Sequence, residues 1–224
     1  MDWTYNTIWT DELLPTELRI ADLSQNPSLE DPLVGGSYLF VRGFKSAHNN
    51  LEDFPVKESV KYLQLTMANI TSFKGLSALG KVKRLELEYC LKLQGDGGLS
   101  EAADSLEWLH ITQAKKFTLG QELRGLSQLK VLSLNSCAPL QDLEFLDDFP
   151  NLLDFRFVET NVLSGDLSPL LRHPTLCYVG FLDKRHYNLR SREVTEKLQE
   201  RRTASVTIAR NGPYETFRYN ALIA

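Results

Sequence analysis

An apolar pattern of the form L-x-x-L-x-L-x-x-(small or Cys)-x-L returns along this chain every 21 to 24 residues. A repeat of that length is one supersecondary unit that cannot bury its apolar side alone, so neighbouring copies must stack. Clear copies start at Val60, Val82, Leu106, Leu129, Leu152 and Leu176, and weaker ones at Pro15 and Gly36. Successive strand residues face opposite sides, so the fourth and sixth positions of each copy share one face. They read Leu63/Leu65, Leu85/Leu87, Leu109/Ile111, Leu132/Leu134, Phe155/Phe157 and Val179/Phe181, with Leu18/Ile20 and Leu39/Val41 in the weak copies. All are apolar. The expectation is an α/β chain with one parallel strand per copy and a core behind the sheet.

Between the strands, apolar residues recur at helical spacing: Phe73, Leu76 and Leu79, then Leu119, Leu123 and Leu126, then Leu163, Leu167, Leu170 and Leu171. Short helices or helical turns are predicted there, ended by Gly80, Pro150 and Pro174. The Gly-rich stretch Leu93 to Gly98 has neither the Lys-Ser/Thr of a phosphate loop nor dinucleotide spacing, and reads as a surface loop.

The repeat resembles the leucine-rich repeat family over about residues 15 to 187, most strongly from Val60 to Phe181. The resemblance implies a curved horseshoe solenoid, with a parallel sheet on its concave face and short helices or turns on its convex face. It also implies recognition of another macromolecule, usually a protein, by the concave side. One departure stands out. The ninth position, where the family places Asn or Cys, reads Ala68, Cys90, Ala114, Cys137 and Thr160, so the Asn ladder is missing and an irregular solenoid is expected.

A stacked array must close both ends. Residues 1–14, with Trp3, Tyr5, Ile8, Trp9, Leu13 and Leu14, form an aromatic segment expected to cap the first repeat. Leu14-Pro15-x-Glu17-Leu18 faintly resembles the opening of an F-box, but strand and turn residues follow instead of continuing helix. Residues 188–224 are expected to form a closing helix and hairpin. Ser191 would be the N-cap of a helix to Arg202, and the strands 204–209 and 216–223 would join through Arg210-Asn211-Gly212-Pro213. From Lys184 onward nine Lys/Arg face four Asp/Glu, so residues 1–183 carry −9 of the net −4. With no nucleic-acid motif and an acidic chain, that basic tail reads as a solvated cap.

Function is sought on the concave face, at positions three, five, seven and eight. The candidate partner-binding residues are Tyr38, Phe40, Tyr62, Gln64, Arg84, Glu86, Glu88, Tyr89, Trp108, His110, Asn135, Asp154, Arg156, Glu159, Tyr178 and Asp183. Rigid aromatics and Arg beside carboxylates suit a protein interface, with Trp108 and Tyr62 as expected hot spots. Acidic residues outnumber Arg on this face, which favours a partner with a basic patch. An enzyme is not expected: His110 near Glu86 and Glu88 is the one acid/base candidate, and no second His, HExxH or CxxC accompanies it. Neither cofactor nor metal is expected. Three cysteines, an odd number, argue against a disulfide framework. Cys90 and Cys137 read as buried, and Cys177 as a partly exposed thiol.

No run approaches the roughly 18 to 20 apolar residues of a membrane span, and the first residues lack a basic-then-apolar signal, so the cytoplasm is the expected compartment. A chain built this way is similar to solitary bacterial leucine-rich repeat proteins, which include immunity proteins of toxin systems; the stretch His173 to Tyr187 adds to that likeness. The expected role is a non-catalytic inhibitor that occludes a toxin. An adaptor for a ubiquitin ligase, or a regulatory subunit of a phosphatase or GTPase, is the alternative.

Overall fold

The computed structural model describes residues 3–24, 33–55, 59–200, 206–210 and 216–219. Eight strands, β1 (Leu18–Asp22), β2 (Tyr38–Arg42), β3 (Tyr62–Thr66), β4 (Arg84–Glu88), β5 (Trp108–Thr112), β6 (Val131–Asn135), β7 (Asp154–Arg156) and β8 (Tyr178–Gly180), pair in chain order. Every pairing is parallel, and the sheet is open at both edges. The architecture is α/β and solenoid-like. Cα partners follow the repeat numbering, with Tyr38, Tyr62, Arg84, Trp108, Val131, Asp154 and Tyr178 in one row.

One core runs the length of the molecule, from Ala21 to Leu198. The fourth and sixth positions from Leu39 to Phe157 are buried in it, and the turn residues Leu76, Leu99, Leu123 and Leu146 close it from behind. The return paths are short: 3-10 turns at Leu76–Leu79, Leu99–Ala102 and Glu144–Asp148, and helices α1 (Gln121–Arg124) and α2 (Ser168–Arg172).

The first copy departs from the expected register by one residue. Leu18 pairs with Tyr38 and Ala21 with Val41, so the third position is Leu18, the fourth Arg19 and the sixth Ala21. Ile20, expected in the core, is therefore on the opposite face and 66% exposed. A one-residue slip inverts every side chain of a strand. Arg19 lies at an edge of the sheet, where its guanidinium donates to the carbonyls of Pro15, Leu18 and Val34.

The missing Asn ladder has a partial substitute. The ninth-position thiols of Cys90 and Cys137 reach the sixth-position carbonyls of the preceding copies, Leu65 and Ile111. Thr160 does so more strongly: its hydroxyl donates to the Leu134 carbonyl at 2.6 Å and accepts the Cys137 N–H at 2.9 Å. Burial pushes the Cys90 thiol up to about 11 and the Cys137 thiol up to about 12, so both stay neutral. Thr160→Val, which keeps the shape and removes both bonds, is expected to cost about 1–3 kcal/mol in urea denaturation, because a buried N–H loses its acceptor. An unchanged midpoint would show that the backbone groups find other partners.

Behind the sheet, consecutive turns interlock. The Glu101 carboxylate accepts the N–H groups of Gly75 and Ser77 and the Ser77 hydroxyl, and Glu122 does the same for Gly98 and Ser100 one copy later. Each acid thus satisfies the orphan donors that open the preceding turn.

At the far end, α3 (Ser191–Gln199) buries Val194 and Leu198 and packs on β8 and α2. Ser191 is its first residue and not its cap; the cap bond comes from the Asp183 carboxylate, which accepts the Ser191 N–H at 2.7 Å. Strands β9 (Val206–Arg210) and β10 (Thr216–Tyr219) pair antiparallel. The turn residues Asn211 to Pro213 lie outside the described residues. Cys177 is buried, not partly exposed, at 5%. Among the described residues no helix is long and apolar enough to cross a membrane.

Candidate functional site

The face opposite the core carries positions three, five and seven, and the chain's own N-terminal segment lies on it. Trp3 packs on the buried pair Trp108 and Val131 and also on the buried cluster of Leu13, Tyr38 and Tyr62. Its N–H donates to the Tyr38 hydroxyl at 3.1 Å. Leu13 and Ile8 join the same cluster beside Phe40. The aromatic segment expected at the end of the array is therefore laid across the third-position row.

Arg84 is the anchor of this arrangement. Its guanidinium lies 3.8 Å from the centre of the Trp108 ring and donates to the carbonyls of Trp3, Tyr5 and Asn6. It also forms an ion pair with Glu86, whose other oxygen accepts the Tyr62 hydroxyl at 3.0 Å. All three side chains are buried. Burial pushes the Glu86 carboxyl up, but the charges of Arg84 and His110 outweigh it and hold the group below its ordinary value. The Tyr62 hydroxyl is driven well above its ordinary range, chiefly by burial and then by the Glu86 charge.

Six residues expected to face solvent are thus covered: Tyr38, Tyr62, Arg84, Glu86, Trp108 and Asp154. Asp154 is fully buried beneath Arg156, which donates to both of its oxygens. What stays open is a cleft of about 290 Å³ between Asn6 to Ile8 and the side chains of positions five and seven. Phe40, Gln64, Glu88, His110, Asn135 and Arg156 line it, all of them partly exposed. Burial holds the His110 imidazole below its ordinary value, with Glu86 opposing and Arg84 and Arg156 assisting. Its Nε2 lies 2.6 Å from the Thr112 hydroxyl. Glu88 is raised by burial and by the Glu86 charge, and among the described residues no Lys, Arg or His forms an ion pair with it.

Tyr89 and Glu159 sit elsewhere than expected. Gly43, Met67, Tyr89, Gln113, Ser136 and Glu159 share the eighth position, and all have a φ between 51° and 72°. In that left-handed conformation the N–H groups of Gly43, Met67, Tyr89, Gln113 and Ser136 donate to the seventh-position carbonyl of the next copy. The eighth residues therefore ring the edge where the strands end and not the face itself. Met67, Tyr89 and Leu91 form an exposed apolar patch there. Tyr178 stays on the face, partly exposed, while Asp183 holds the start of α3.

For acid/base chemistry the arrangement supplies little freedom, since the Glu86 oxygens are taken by Arg84 and Tyr62. Among the described residues no group of three His, Cys, Asp or Glu is placed to hold a metal ion. The chain matches no protein-family model, no curated protein and no solved structure.

Two features of the site lay outside the sequence reading: the N-terminal segment over the face, and Arg84 as its anchor. A signal for the first existed. Four aromatics in one row of a strand face mark a surface that something covers, whether a partner or another part of the chain.

Proposed function

We propose that this chain is a leucine-rich repeat protein that binds another protein with the concave face of its sheet, without catalysis. Its role would be that of an inhibitor of the immunity type, covering a basic patch on a toxin or similar enzyme. The observation that carries the reading is Glu88, half-buried in a cleft, hydrogen-bonded by Gln64 and Thr66 and, among the described residues, in no ion pair, in a row of polar and aromatic side chains that eight strands hold in register. Neighbouring strands lie about 4.8 Å apart, so eight of them offer a surface on the order of 35 Å long, which is the scale of a protein partner. A Lys or Arg from the partner placed against Glu88 would give that carboxylate a cationic partner.

The test is capture from native lysate at low salt, with the intact chain against a Phe40→Ala/Gln64→Ala/Glu88→Ala variant. A stoichiometric basic protein should be retained only by the intact chain, with affinity that falls as salt rises. Purified, it should lose its own activity when covered. If the variant retains the same protein equally well, the binding surface is not this face. Trp108 and Tyr62, the expected hot spots, are unsuited to the test because they lie beneath the N-terminal segment.

A further inference from the structure

The edge where strands β3 and β4 end carries side chains that the concave face does not use. Met67 and Tyr89 hold the eighth position of their copies, and Leu91 lies two residues beyond Tyr89; the three are 44% to 60% exposed. Together with Lys45 and Lys92 they line a hollow of about 540 Å³. The backbone there is unusual. Met67 and Tyr89 have a φ of 59° and 53°, a region that costs a residue with a Cβ and costs glycine little. The preceding copy has Gly43 at this position. Two large apolar side chains are thus held in a costly conformation and gain no burial in return, a combination found where a surface is used.

Charge is the second observation. Lys45, Asn69, Leu91 and Lys115 each lie three residues beyond a paired strand end, so they follow one another along the edge, and Lys92 stands next to Leu91. Lys45, Lys92 and Lys115 are all exposed. Among the described residues the lysine ion pairs are those of Lys74, Lys83, Lys130 and Lys197, and none involves these three. They form a group of uncompensated cations in a stretch, residues 1–183, that carries −9.

We infer that this edge is a second protein-binding site, which takes an extended acidic segment of a partner with a large apolar side chain between its carboxylates. The apolar side chain enters the hollow against Met67, Tyr89 and Leu91, while the carboxylates meet Lys45 on one side and Lys92 and Lys115 on the other. From Lys45 to Lys115 the edge crosses three strand spacings, about 14 Å, the length of about four extended residues. A hollow suits a side chain better than the flat surface of a bilayer, and two of its apolar walls, Met67 and Leu91, give a nucleic-acid base nothing to stack on. The site lies beside the concave face and not on it, so it stands apart from the function proposed above.

The test is selection of random twelve-residue peptides, displayed on phage, on the full chain after depletion on a Met67→Gly/Tyr89→Gly/Leu91→Ser variant. Glycine keeps the left-handed conformation, so that variant should unfold at no lower temperature than the unaltered chain. Should it be less stable, Lys45→Glu/Lys92→Glu/Lys115→Glu serves for the depletion. Enriched peptides should carry Asp or Glu on both sides of a Leu, Met, Phe or Trp. Made synthetically, they should bind the triple-glutamate variant about tenfold more weakly or worse, through like-charge repulsion, and should lose affinity severalfold between about 0.05 and about 0.5 M salt. Phe40→Ala/Gln64→Ala/Glu88→Ala should not weaken them, which separates this edge from the concave face. Absence of any enriched peptide would overturn the inference, as would enriched peptides without carboxylates or equal binding by the triple-glutamate variant. Binding of phosphatidylserine vesicles or oligodeoxythymidine through the same lysines, without peptide binding, would overturn it in favour of a membrane or a nucleic acid.

Discussion

Gly98→Ala is expected to destabilise the protein by about 3 kcal/mol or more in urea or thermal unfolding, while Gly95→Ala, three residues earlier in the same loop, should change stability by less than about 0.5 kcal/mol. Gly98 has a φ of 94°, and a Cβ built on it would lie 2.2 Å from the Lys74 nitrogen and 2.4 Å from the Phe73 carbonyl carbon. Both are backbone atoms of the preceding copy, so no side chain can swing aside. Relief requires the two turns to separate, which would pull the Gly98 and Ser100 donors away from Glu122. The conformational cost of the left-handed region adds to that overlap. At Gly95 nothing lies within 4 Å of the added carbon, and losing glycine's freedom in the unfolded chain offsets any small strain. Similar stabilities for the two variants would mean that the turns are not interlocked by backbone contact. Gly75, where the added carbon would lie 2.4 Å from the Glu52 nitrogen, should repeat the Gly98 result one copy earlier.

That contrast also bears on what the sequence makes legible. The strand rows from Tyr38 onward follow from period alone, because two inward apolar positions per copy leave one register that buries them. At β1 the apolar pattern favours the register that is not adopted: Leu18 and Ile20 satisfy it, whereas Arg19 and Ala21 put a charged residue at the fourth position. The structure takes the second, in which the Arg19 donors meet backbone carbonyls. The Gly-Leu-Ser recurring at Gly75 and Gly98 was visible in the sequence, yet its meaning depends on how closely two copies approach. The left-handed eighth position was hidden for a different reason. Met67, Tyr89, Gln113 and Glu159 adopt a conformation most often given to Gly or Asn, held there by the N–H each donates, or by neighbours, and by no preference of their own. At the site, composition correctly placed aromatics, Arg and carboxylates in adjoining rows. Which of them water reaches depended on where a short segment at the start of the chain lies, and end cap and face cover bury the same apolar side chains.

The second large effect is expected at Arg84. Arg84→Ala leaves Glu86 charged, buried and without its cation, a loss of about 3–5 kcal/mol at neutral pH. Replacing both, as Arg84→Met/Glu86→Leu, should recover much of it, because a well-packed apolar pair carries no desolvation cost. Acid titration separates this account from a simple loss of packing. In the unaltered protein the folded-state pKa of Glu86 lies below the ordinary 4.5. The unfolded chain therefore binds its proton first, and the stability Glu86 contributes is present above pH 4.5 and lost as pH falls through the depressed value. Without Arg84 burial is the largest influence left, and the folded-state pKa moves above 4.5. The folded variant then takes up the proton first, and its stability rises as pH falls from neutrality toward that value. The gap between the two proteins should accordingly narrow on acidification, measured as the difference in urea unfolding free energy from about pH 7 to about pH 5. A gap independent of pH would assign the loss to the cation-to-ring contacts with Trp108 and Tyr62 and to the released carbonyls of Trp3, Tyr5 and Asn6. Hydrogen exchange over residues 3–9 distinguishes these in turn: release of the segment should accompany Arg84→Ala at every pH, since protonating Glu86 relieves the buried charge but restores no donor to the carbonyls.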